Sequence, residues 1–74
     1  MSKIPAIKPK KLLQILQKQG FYIHHQKGSH LVLKSKHDNL LRVILPFHTK
    51  DLKRKTLLSI LKQAGLDKSI LTKR

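Results

Sequence analysis

Behind Pro9, the residues Leu12, Leu13 and Leu16, with Ile15, make an apolar stripe at helical spacing. Pro9 suits the first turn of a helix, where its missing N–H leaves nothing unpaired, and Gly20 suits a left-handed close. The spacing predicts a helix over residues 9–19, after an extended lead-in over residues 1–8 that contains Lys3 and Pro5. From Phe21 to Lys27 the pattern changes to aromatic and β-branched residues in alternation, Gly28 interrupts it, and Ser29 to Lys34 alternates again. Two strands joined by a tight hairpin around Lys27-Gly28 are expected. Lys36-His37-Asp38-Asn39 is turn chemistry, because Asp and Asn tolerate tight turn geometries. Leu40 to Leu45 then predicts a third strand, stopped by Pro46. Further on, Leu57, Ile60, Leu61 and Ala64 fall at i, i+3, i+4 and i+7. Thr49 or Asp51 is placed to cap this second helix, Gly65 to close it, and Asp67 to cap a last short turn holding Ile70 and Leu71.

The expected order is α-β-β-β-α, an α+β fold in which two helices cover one face of a three-stranded antiparallel meander. No repeat or linker divides the chain, so one domain over residues 1–74 is expected. Strand alternation turns Phe21, Ile23, Leu31, Leu33 and Val43 toward the helices, and Tyr22, His24, His30 and Arg42 toward the uncovered face. As neighbours on a regular strand, His24 and His25 face opposite ways.

Charge narrows the function. The 74 residues hold 17 Lys and Arg against 3 acids, a formal charge of +14, with no Glu, Cys or Trp. Disulfides, thiolate zinc sites and cysteine nucleophiles are excluded. Asp38, Asp51 and Asp67 are scattered, which disfavours paired-carboxylate glycosidases, carboxylate cation cages and two-metal nucleases. The excess of cations points to a polyanion: nucleic acid, an anionic membrane surface or an acidic protein. No apolar run is long enough to span a membrane, the start lacks the apolar stretch of a signal peptide, and both apolar stripes are needed for the core. A cytoplasmic domain with no membrane partner is expected.

The basic runs Lys8-x-Lys10-Lys11 and Lys50-x-x-Lys53-Arg54-Lys55 lie near the starts of the two helices, where free N–H groups favour phosphate. Tyr22 on the open face offers a surface for base stacking. Five His are present, but none shows metal-ligand spacing, so no metal or cofactor is expected. His30 stands just past the hairpin after Gly28-Ser29. Taken alone, a lone strand histidine is more often inert than catalytic, yet its titration near neutrality fits acid or base work. RNA cleavage suits so few functional groups: the 2′-OH is the nucleophile, a histidine moves the proton, and cations hold the phosphate. On this geometry Lys27 and Arg42 flank His30 as phosphate ligands.

Ile7-Lys8-Pro9-Lys10 leading to Leu16-x-x-x-Gly20-Phe21, then Gln26-Lys27-Gly28-Ser29-His30, Pro46-x-His48 and Thr56-Leu57-x-x-Ile60-Leu61-Lys62-Gln63-Ala64-Gly65-Leu66, resembles the HicA toxins of bacterial and archaeal toxin–antitoxin systems, also called YcfA-like proteins. The likeness runs in order over nearly the whole chain. It implies a fold like a double-stranded-RNA-binding domain and a metal-independent mRNA interferase, an endoribonuclease that halts translation and is neutralised by a HicB-like antitoxin. The family's catalytic histidine, in Gly-Ser-His, falls on His30; its second recurrent histidine falls on His48, which either contacts phosphate or fixes the entry to the second helix. Gly28, Ser29, Lys10, Lys11, Lys53 and Arg54 complete the expected RNA contacts. Lys55 stands where many relatives have Gly, a change expected to adjust phosphate or antitoxin contacts. The expected partners are mRNA and the antitoxin, with the free toxin monomeric. The rival expectation is a module that binds double-stranded or structured RNA without cutting it.

Overall fold

The computed structural model describes residues 6–71; the first part of the expected lead-in, residues 1–5, lies outside them. The elements run α1 (Pro9–Lys18), β1 (Phe21–Lys27), β2 (His30–Ser35), β3 (Arg42–Pro46) and α2 (Arg54–Gln63), followed by a 3₁₀ turn at Lys68–Leu71. This is the expected α+β order. Helix α1 opens with Pro9 in its first turn and buries Pro9, Leu12 and Leu16. It closes on Gly20, whose φ of 95° is the left-handed conformation that glycine adopts without strain. Helix α2 buries Leu57, Ile60 and Leu61. Its end is a Schellman pair: Gly65 N–H donates to Lys62 O at 3.1 Å and Leu66 N–H to Leu61 O at 2.9 Å. Asp67 caps the last turn as expected, its Oδ2 accepting the Ser69 N–H at 3.2 Å.

The start of α2 departs from expectation. Lys53 precedes the helix with extended backbone and no side-chain cap, and neither Thr49 nor Asp51 serves that role. The reason is Leu52, which is buried and donates its N–H to Ile7 O at 2.8 Å. Docking Leu52 between the two helix starts holds the chain extended until it has passed, so Asp51 lies too early to cap. Its carboxylate instead meets Lys8 Nζ at 3.5 Å.

The sheet has the order β1-β2-β3, both pairs antiparallel. A two-residue turn, Gly28-Ser29, closes the first hairpin between the paired Lys27 and His30. Gly28 has φ 58° and no other described residue except Gly20 and Gly65 has positive φ, the pattern of a type II′ turn with glycine first. Strand β3 starts later than expected. Leu40 is 91% exposed; its N–H is drawn to Asp38 Oδ1 at 2.9 Å, which keeps it in the turn. Pro46 is the last residue of β3 rather than its stop, opposite His30, and is tolerated because β3 is an edge strand. The Ile44 N–H on that edge donates to Gln63 Oε1 of α2 at 3.1 Å.

A bulge interrupts β1: Ile23 pairs with Leu33, but the next partner, Val32, pairs with His25, leaving His24 as the additional residue. His24 and His25 therefore do not face opposite ways. Their rings meet edge to face with centroids 5.3 Å apart. Ile23 keeps its place opposite Leu33 but is 44% exposed, since it sits on the outer strand at the margin of the core.

The core fills the space between sheet and helices. Leu31, Leu33, Val43 and Leu45 from the sheet pack with Leu12, Leu16, Leu57, Ile60 and Leu61. Buried Ser35 is satisfied, its Oγ accepting the His37 and Asp38 N–H groups at 3.1 and 3.2 Å. Among the described residues, no helix is long and apolar enough to cross a membrane. The contrast between two paired residues tests this one-sided core. Leu33 is wholly buried and Ile23 is not, so Leu33→Ala should cost about 2–5 kcal/mol in urea unfolding, whereas Ile23→Ala should cost less than about 1.5 kcal/mol. Equal losses would contradict the assignment.

Candidate active site

The register arranges the uncovered face in three rungs. Tyr22, Lys34 and Arg42 form the first; His25, Val32 and Ile44 the second; Lys27, His30 and Pro46 the third. Without the bulge, continued alternation would put Gln26 on this face in place of His25 and Lys27. The inserted residue shifts the second half of β1 by one position, so that His25 and Lys27 share the face of His30.

Between the rungs lies an open hollow of about 620 Å³, lined by His25, Lys27, Gly28, Ser29, His30, Val32, Arg42 and Ile44. Its walls are mixed. Val32 is only 4% exposed although it points away from the helices, and Ile44 is 42% exposed beside it. The turn is fixed at the rim: Phe47 N–H donates to Ser29 O at 2.7 Å, and Gln26 Nε2 donates to Gly28 O at 3.0 Å. A Cβ built on Gly28 would meet nothing within 4 Å, so its backbone stands open to an approaching ligand.

Of the residues singled out in the sequence, Lys27, Gly28, Ser29, His30 and Arg42 come together in this hollow. His48 is exposed and does not line it. Lys10, Lys11, Lys53 and Arg54 are exposed at the starts of the two helices. Those starts are tied together by the Leu52–Ile7 backbone bond and by Lys8, whose Nζ donates to Thr49 O at 3.3 Å and pairs with Asp51. The two basic runs thus form one region, apart from the hollow's lining.

Three lining residues were not anticipated from the sequence: His25, Val32 and Ile44. Val32 and Ile44 had a signal, since each stands between two core positions of its strand and must face the other way. His25 had none, because a bulge belongs to the pairing of two strands and not to either alone.

The electrostatics of this face are visible in His24. Its imidazole is held below the usual histidine range, chiefly by the Lys34 ammonium, with partial desolvation, His25 and Arg42 acting in the same direction. Positive neighbours disfavour the imidazolium and leave the neutral ring. In an NMR titration, His24 should lose its proton at a lower pH than an unperturbed histidine, and Lys34→Gln should raise its midpoint. A midpoint that ignores Lys34 would remove the field from this face.

A comparison with family models matches residues 9–66 to the family described as the HicA toxin of bacterial toxin–antitoxin systems. No curated protein matches the chain. The match spans both helices, all three strands and the hairpin that carries His30. The chain therefore belongs to the HicA toxin family, which makes it the toxin side of a toxin–antitoxin pair and implies a cognate antitoxin as its partner.

Proposed function

We propose that this toxin is an mRNA endoribonuclease that works without a metal and stops translation in the cytoplasm by cutting messages. The observation that carries the reading is the gathering of a titratable imidazole, His30, with Lys27, Arg42 and the open Gly28-Ser29 turn in one hollow on the uncovered sheet face. His30 serves as base or acid for the 2′-hydroxyl route. Lys27 and Arg42 hold the scissile phosphate and the charge that builds on it, Arg42 with the planar fork suited to phosphate oxygens. Gly28 lets the RNA backbone approach, with Ser29 beside it as a hydroxyl contact. Val32 and Ile44 give the sugar or base an apolar wall.

Flanking RNA extends to His48 and to the helix starts, where Lys10, Lys11, Lys53 and Arg54 meet phosphates. No step of this route calls on a metal: the RNA supplies the nucleophile, His30 moves the proton, and Lys27 and Arg42 meet the developing charge. The antitoxin, HicB-like in the family's terms, neutralises the toxin by covering the open face and shielding His30. The free toxin acts as a monomer.

Purified protein incubated with labelled RNA in EDTA tests the reading. Fragments are expected. His30→Ala should cut about 10²–10⁴-fold more slowly while its far-UV spectrum and RNA retention persist, and it should no longer arrest growth of an expressing host. RNA that is retarded but left intact by the wild-type chain would favour a non-catalytic binding module instead. Cleavage by His30→Ala at the wild-type rate would remove His30 from the chemistry.

A further inference from the structure

The hollow holds a second imidazole. Resting on the ribonuclease reading, we propose that His25 is the other proton-transfer residue of the site, working across the scissile phosphate from His30. Both side chains line the same hollow. Lys27 pairs with His30 and His25 with Val32, so His25 and His30 are diagonal neighbours on one face, with Cα atoms about 7–8 Å apart by sheet geometry. That separation leaves room for one phosphate between two imidazoles. The bulge is the structural means: it turns His25 onto this face, and bulges beside active sites commonly re-aim a side chain in this way.

Two histidines complete the step that one leaves half served. The 2′-hydroxyl gives its proton to one imidazole, and its oxygen bonds to phosphorus. The P–O5′ bond then breaks, and the leaving 5′-oxygen takes a proton from the other ring, which is an imidazolium. The products are a 2′,3′-cyclic phosphate and a 5′-hydroxyl, and the histidines end with their protonation states exchanged. No co-reactant is needed.

The other histidines are placed elsewhere. His24 and His48 do not line the hollow, and the His37 ring packs against Gly20, where an added Cβ would meet it at 2.6 Å. The titratable and charged groups around His25 come from all three strands. His24 and Lys27 lie on its own strand, with Tyr22 beyond them. His30 and Lys34 face it from β2, and Arg42 from β3.

The test is the pH profile of single-turnover cleavage of a short RNA by the wild-type chain, His25→Gln, His25→Ala and His30→Ala. The wild type should give a bell, the mark of one acid and one base. His25→Gln should lose one limb and fall about 10²-fold, with KM little changed and an unaltered far-UV spectrum. Added imidazole should restore part of the His25→Ala rate, which a merely structural role would not allow. The proposal is overturned if His25→Gln keeps both limbs, or if only KM moves, or if imidazole restores nothing. In those cases an inactive His30→Ala leaves the ribonuclease reading standing. A wild-type chain that cuts no RNA overturns both.

Discussion

A chain of 74 residues has apolar surface enough for one interface between layers, and here that interface lies between the sheet and its two helices. Everything else follows from which side of the sheet is closed. The buried leucines of β2 and β3 all turn one way, and α1 and α2 meet them with the stripes that their spacing foretells. The residues that alternate with them are left on a face with no covering layer, and it is there that the imidazoles and cations of the hollow collect. In a small domain, core and site are thus two readings of the same alternation.

Within that constraint, one inserted residue decides what the open face contains. Because strand side chains alternate with period two, the bulge at His24 exchanges the two sides of the second half of β1. The exchange brings Lys27 beside His30 and His25 beside Val32. It also sets two histidine rings edge to face in a region already crowded with cations, and the depressed proton affinity of His24 reflects that crowding. Acids do little to relieve it. Asp38 and Asp67 are engaged in turns, and Asp51 faces Lys8 near the helix starts. The field therefore remains positive until a partner supplies the missing negative charge.

Much of the fold was legible because its signals are local. The helical stripes, Gly20, Gly65 and the two-residue hairpin each depend on a few neighbouring residues. What escaped depends on contacts between distant segments. Leu40 looks like a strand residue until the Asp38 side chain captures its N–H. Asp51 looks like a cap until Leu52 docks beside Ile7. The face of His25 follows from pairing with β2, which β1 alone does not encode. The motif around His30 was legible for the opposite reason: its turn is made by adjacent residues, Gly28 and Ser29.

The carboxamide of Gln63 occupies the Ile44 N–H on the outer side of β3, a donor that would otherwise recruit another strand. On the opposite margin, β1 is irregular at its bulge and presents no even ladder to a newcomer. Sheet growth is thereby checked on one side by a helix side chain and on the other by broken spacing. A strand arriving at either margin would therefore meet a ladder already interrupted, by a side chain on β3 and by the extra residue on β1.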